Sequence, residues 1–374
     1  MKFITIIFSL LLIFSLSAQD KGTKSSSSKK RAKKPEVVLP VVKKENSVFQ
    51  MQWRSNKPPY QTHKILANTI KTEIRKKLKG KVLFHSYILP EETENEKVIT
   101  YKKSLIDFLD QSEEDKVHNF QIVDLNTSVI AKELGLPAYY LFDYPFLFAA
   151  YYKIEEFFKT PIAKTMVKMT EDKGFVNLGF YYTHGFRVFP SEFQRIKSVD
   201  DLKNYKMDKT DSDFNNELYK ALGITLIDEN TAPEYLNSIQ KDSGDISMGG
   251  LYEMYVYGPS DPDNNDVIHI LNSRHSVAMS AMLIDKNYFD TLPKDVQKGL
   301  REAFKVALAK QRQWVVKEDE RVLKDIEKWD IGLSGLGLFG MKTFREKTKT
   351  VREKYEKLIG KNAIEIAQDD EIAP

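Results

Sequence analysis

The side chains best placed to do chemistry in this chain are aromatic, and they cluster. Residues 139–152 hold Tyr139, Tyr140, Phe142, Tyr144, Phe146, Phe148, Tyr151 and Tyr152. Residues 180–189 set Phe180, Tyr181, Tyr182, Phe186 and Phe189 around a single cation, Arg187. A third group is Tyr252, Tyr255 and Tyr257. Rings at this density mostly build core. Those facing a gap would wall a cleft of the kind that takes small molecules, apolar with a few polar groups. Phe146, Phe148, Tyr181, Tyr182, Arg187 and Tyr252 are therefore candidate ligand contacts.

Catalytic patterns are missing. There is no Gly-rich phosphate loop ending in Lys, no Gly-x-Ser-x-Gly elbow and no His-Glu-x-x-His helix. The six histidines, at 63, 85, 118, 184, 269 and 275, include no i,i+4 pair. Asp261-Pro-Asp263-Asn-Asn-Asp266 lacks the sixth-position Gly and twelfth-position Glu of a calcium loop. With no cysteine, thiol chemistry, thiolate metal sites and disulfides are all closed to the chain. The expectation is a binding protein with no metal and no cofactor.

The elements that would position these residues alternate. Val48–Trp53 reads as a strand, Thr62–Leu78 as a helix with Ile65, Leu66, Ile70, Ile74 and Leu78 in phase, Val82–Leu89 as a strand and Val98–Leu109 as a helix. That order predicts a parallel sheet layered with helices. A strand region over 119–130, a helix over 149–169, strands over 175–182 and 277–284 and a βα pattern over 205–240 continue the theme. A long helix after Pro293, capped by Asp290 or Thr291, carries Val296, Leu300, Phe304, Ala307, Trp314, Val322 and Ile326 on one stripe. At 1.5 Å per residue it would span about 50 Å, longer than one lobe, and so would bend or brace two. Lys342–Lys357 reads as a charged, solvated helix.

The first residues predict export. Lys2, the apolar run from Phe3 to Leu16 and the small residues Ser15 to Ala18 form a secretory signal over 1–18, cleaved near Ala18, and place the rest in the periplasm. Residues 19–46 follow as a disordered basic linker. Within it, residues 19–44 hold nine Lys/Arg and two Asp/Glu, a balance of +7, so residues 45–374 carry −4 although the whole chain is +4. The arm suits a solvated spacer, or weak contact with a membrane surface. Nucleic acid is not an expected partner.

Several segments together resemble the solute receptors of tripartite ATP-independent periplasmic (TRAP) transporters, of the DctP-like kind. Asp143-Tyr-Pro-Phe-Leu-Phe148 is similar to the family's "lPFLF" segment. Gly174-Phe-Val-Asn-Leu-Gly179 with Gly185-Phe-Arg187 is similar to "G…lG…GfR", and Ile196 to Met207 to "i.s.dDLKGlKiR". Ala221-Leu-Gly223, Glu234-Tyr235 and Gly244-Asp245 continue in the family's order, and the likeness runs from about Phe49 to Trp329. The resemblance implies a periplasmic binding protein-like α/β fold, two α/β lobes joined by hinge strands and braced by a long helix, closing on a small ligand. Lobe I would comprise 47–183 with 275–312, and lobe II 184–274 with 313–374. It also implies delivery to TRAP membrane permease subunits, and in some relatives a helical-repeat periplasmic partner.

Departures from the family pattern predict the ligand class. The family's carboxylate-clamping Arg at the end of "lKiR" is replaced by Asp208, while Arg187 matches the second family Arg; the alternative alignment has another Arg, such as Arg195, fill the clamp. "DGqEN" becomes Asp245-Ile-Ser-Met248-Gly-Gly250. An Asp at the clamp repels an acid and can neutralise Arg187. The expected ligand is thus not a C4-dicarboxylate or sialic acid but something bulkier and less polar, or second a cation, with Tyr235 and Met248 joining the aromatic contacts. The alternative function is an exported carrier of lipid-like molecules working with an envelope partner and no permease; an exported hydrolase is a third.

Overall fold

Apolar side chains at every fourth position of the first helix decide which of its faces is buried. In the computed structural model, which describes residues 49–55, 61–88, 121–191, 195–227, 250–251, 269–329 and 331–368, Leu66, Ile70, Ile74 and Leu78 are all buried. They lie on α1 (Gln61–Leu78), which follows β1 (Phe49–Ser55) and leads to β2 (Val82–Ile88). Next come β3 (Ile122–Asn126), α2 (Thr127–Glu133), a 3-10 turn over Pro137–Asp143, α3 (Tyr151–Phe157), α4 (Pro161–Met169), β4 (Phe175–Phe186) and β5 (Phe189–Ser191). After them stand β6 (Lys206–Asp208), α5 (Asp213–Ala221), β7 (Thr225–Ile227), β8 (His269–Asn272), β9 (Val277–Asp285), α6 (Lys286–Thr291) and α7 (Lys294–Asp325). The described chain closes with β10 (Gly332–Gly335), α8 (Gly337–Lys347), α9 (Lys349–Ile359) and α10 (Lys361–Gln368).

The main sheet has the order β2-β1-β3-β9-β4. It is mixed rather than all-parallel: β1 runs parallel to β2 and β3, but β9 is antiparallel to both β3 and β4. The strand that returns from far along the sequence thus enters between β3 and β4 in the opposite direction. Small sheets of order β10-β8-β5 and β6-β7 lie beyond it.

Two hydrophobic clusters divide the interior. One gathers α1, β2 and Val296 to Leu308 of α7 around one face of the main sheet; the other gathers the 137–148 segment, α5, the far end of α7 and the C-terminal helices. The 32 residues of α7 extend about 48 Å at 1.5 Å each. Val315 and Val322 of the same helix sit in the second cluster, so α7 spans both, as a bracing helix should. At the changeover Gln311, fully buried, donates to Tyr182 O (2.7 Å) and Thr62 Oγ1 (2.5 Å) and accepts from Tyr182 N (3.1 Å).

Several expectations need correction. The helix over 149–169 is two, α3 and α4, because Pro161 cannot continue a ladder; Thr160 caps the second by accepting from Ala163 N. Strand character over 119–130 gives way to α2 at Thr127. Asp285, not Asp290 or Thr291, supplies a cap, and it caps the short α6, while α7 begins after Pro293 without a side-chain cap. Lys342–Lys357 is split at Thr348 and is not simply solvated: Phe344 and Tyr355 are buried. The signal, the basic arm, the 98–109 helix and most of 228–268 lie outside the described residues.

Candidate functional site

Arg187 is placed by the join between β4 and β5. Gly185, at φ +76°, lets the strand bend where an added Cβ would meet Tyr151 Oη at 2.2 Å. Two residues on, Arg187 N donates to Ser276 O at 2.9 Å. Its guanidinium Nη2 then lies 3.7 Å from Asp143 Oδ1, the carboxylate ending the 3-10 turn. Arg187 is 12% exposed and Asp143 1%.

Asp143 is a fully engaged acceptor. Ser212 Oγ donates to Oδ2 and Asn215 Nδ2 to Oδ1, each at 2.8 Å. Ser212 is also the N-cap of α5, accepting from Asn215 N, so one helix start holds the carboxylate. Burial raises the Asp143 carboxyl above its ordinary pKa, opposed first by Arg187 and then by these two hydrogen bonds. With the cation and both donors present, the ionised pair is the arrangement the geometry supports.

Beside the pair, His275 is buried between rings. Phe189 stacks on it at 4.7 Å and Phe344 at 5.5 Å. Its Nδ1 lies 2.7 Å from Ser273 Oγ and its Nε2 3.2 Å from Tyr219 Oη. Burial, and secondarily the Arg187 cation, push its pKa down to about 3, so it is neutral near pH 7. Its carbonyl accepts from Phe146 N at 2.8 Å, holding Phe146 at φ +56°. A non-glycine residue there stores strain that the surrounding contacts must offset. Phe146 is half-buried, edge-on to Phe344 and under Arg345.

The candidate contacts therefore separate. Arg187 and Phe146 share one neighbourhood, tied through Asp143 and His275. Phe148 is buried against Phe142 and Phe157. Tyr181 is buried in the first cluster and donates to Asp124, with His63 alongside. Tyr182, one position on and facing the other way, packs on Tyr151 at 5.0 Å. These three side chains belong to the core. Asp208 ends β6 with its backbone paired to Ile227; its side chain is not among those described. Tyr235, Met248 and Tyr252 lie outside the described residues, as do Asp261–Asp266. The partner the structure gives Arg187 is Asp143, which the sequence reading did not single out although it opens the quoted Asp143–Phe148 segment. His275 and Arg274, the latter 4.3 Å over the Phe186 ring, were also missed. No local motif marks either. No group of acids and histidines able to hold a metal occurs among the described residues.

A family model, bacterial extracellular solute-binding protein, family 7 (DctP), matches residues 50–237 and 265–358. The chain belongs to this family. Among curated relatives of the family-7 protein, a solute-binding protein of Verminephrobacter eiseniae is 24% identical over 234 residues, 62% of this chain and 66% of that protein. Among solved structures, the sugar acid binding protein DctPAm of Advenella mimigardefordensis, in complex with galactonate, is 18% identical with TM-score 0.68, covering 87% of this chain and 98% of that one. A TRAP periplasmic solute-binding protein of Sulfurospirillum deleyianum, with bound succinate, is 17% identical with TM-score 0.66, covering 87% and 99%. This likeness shows the two-lobed α/β fold of the family.

Proposed function

We propose that this family-7 protein is an exported, periplasmic solute receptor that closes two lobes over a small ligand and delivers it to a TRAP-type membrane permease. Family membership and the near-complete overlap with solved TRAP receptors support the role. The lobe boundaries at 183/184, 274/275 and 312/313, and cleavage near Ala18, belong to the same proposal. The alternative of a permease-free hydrophobe carrier finds no support in the family match. Binding rather than turnover is the expected activity.

The ligand is proposed to be weakly charged and partly aromatic or apolar rather than a small organic acid. The observation that carries this is the buried Arg187–Asp143 pair. Relatives are named for galactonate and succinate, and a carboxylate needs a cation with its charge to spare. Here the nearest described carboxylate already neutralises Arg187, and Ser212 and Asn215 fix that carboxylate in place. A ligand carboxylate would have to compete with Asp143 for that cation and would stand beside a second carboxylate, a like-charge contact that disfavours it. Arg187 Nε, without a hydrogen-bond partner among the described residues, remains as one donor for a neutral oxygen. Native mass spectrometry of the protein purified from its own periplasm tests the reading: a neutral or cationic, ring- or chain-bearing solute is expected, and a stoichiometric small organic acid would refute it.

A further inference from the structure

The most exposed large apolar side chains described stand at the start of the helix whose other face carries the buried Phe344. They are Leu338 and Phe339, 88% and 83% exposed at the start of α8, with Leu333 of β10 also exposed. Up the same face of the helix, at i+3, i+4 and i+7 from Leu338, stand Met341, Lys342 and Arg345. Lys349 and Arg352 of α9 join them around an open notch of about 220 Å³, with Glu346 its one acid. Arg352 Nη2 donates to Arg345 O at 2.9 Å, while its Nε is buried without a hydrogen-bond partner among the described residues. Residues 337–368 carry eight Lys/Arg against four Glu, a balance of +4, whereas residues 45–374 as a whole carry −4. The helices that bear the apolar tip are thus locally positive on a body that is acidic overall.

We propose that this tip docks on an anionic phospholipid surface, with Leu338 and Phe339 inserted among the acyl chains and Lys342, Arg345, Lys349 and Arg352 at the phosphates. Burying two such side chains favours the membrane-bound state, and cations at the interface add attraction that salt weakens. A protein partner is the less favoured occupant. Three exposed apolar residues fall short of the ~800 Å² per partner of a specific protein interface, whereas interfacial lipid binding needs only a small inserted area plus charge. Docking here differs from tethering by the basic arm, because the apolar side chains belong to the folded body. It holds the helix that carries Phe344 and Arg345, and hence Phe146, against the membrane in which a permease would sit.

The test is co-sedimentation of the full exported chain with phosphatidylethanolamine vesicles containing phosphatidylglycerol, and with pure phosphatidylcholine vesicles as the uncharged control. Wild-type protein should bind the anionic vesicles selectively. Leu338→Ser with Phe339→Ser should weaken binding at least ~10-fold with the arm intact, and Lys342→Glu with Lys349→Glu roughly 5-fold or more per cation. Both pairs are surface residues, so circular dichroism and ligand binding should be unchanged, which separates this docking from the receptor reading. A third variant replaces Lys29, Lys30, Arg31, Lys33 and Lys34 with Ser and should keep most of the binding. The proposal is overturned if the tip variant binds as wild type while the arm variant does not. It is equally overturned if wild type ignores anionic vesicles and the tip instead proves necessary for capturing a protein.

Discussion

At the residue scale, two buried groups matter most: Asp143, ionised against Arg187, and His275, held neutral by burial. Asp143→Asn removes the partner of Arg187 and two charge-assisted bonds, and urea unfolding should show a loss of about 3 kcal/mol. His275 titrates from 6.5 in the unfolded chain to about 3 in the fold. Between those values the unfolded state binds the extra proton, so the stability His275 contributes is complete above pH 6.5 and is lost as pH falls towards 3. Asp143, raised by burial, acts with the opposite sign from pH 3.8 upward. Because the His275 contribution is absent from His275→Gln while that of Asp143 is common to both, urea midpoints measured across that range should fall with acid more steeply in wild type than in His275→Gln. The pattern of rings and Arg187 was readable in the sequence; the pairing was not. Asp143 and Arg187 are 44 positions apart, and only the meeting of a 3-10 turn with a strand end brings them together.

At the element scale, α7 shows what periodicity can and cannot tell. Its apolar stripe was legible because the pattern persists over many turns. What it could not show is that the one buried polar side chain at the changeover, Gln311, binds both backbone groups of Tyr182. Gln311→Leu leaves that N–H and C=O unsatisfied in the interior. It should cost about 2–5 kcal/mol and speed exchange of the Tyr182 amide, read by hydrogen exchange. The C-terminal helices were misjudged for the converse reason. Their charge is abundant, yet a few rings, Phe344 and Tyr355 among them, bury one side. Phe344→Ala should destabilise by about 3–5 kcal/mol in the same urea assay, which a solvated helix would not do.

At the scale of the whole molecule, two-lobed architecture was legible from the order of several weak segments and from a helix longer than a lobe. The mixed strand direction was not, because β9 enters the sheet from more than 90 residues beyond β4. Hinged lobes imply a population shift on binding, driven by contacts made only in the closed state. Small-angle scattering should accordingly show a smaller radius of gyration with the native solute than without it. If Arg187 is the anchor of the proposed ligand site, its charge state selects the solute, and isothermal titration of succinate into wild type, Asp143→Asn and Arg187→Ala tests this most directly. We expect weak or no heat with wild type and Arg187→Ala, and tighter binding once Asp143→Asn frees the guanidinium. Tight succinate binding by wild type that disappears in Arg187→Ala would contradict the account.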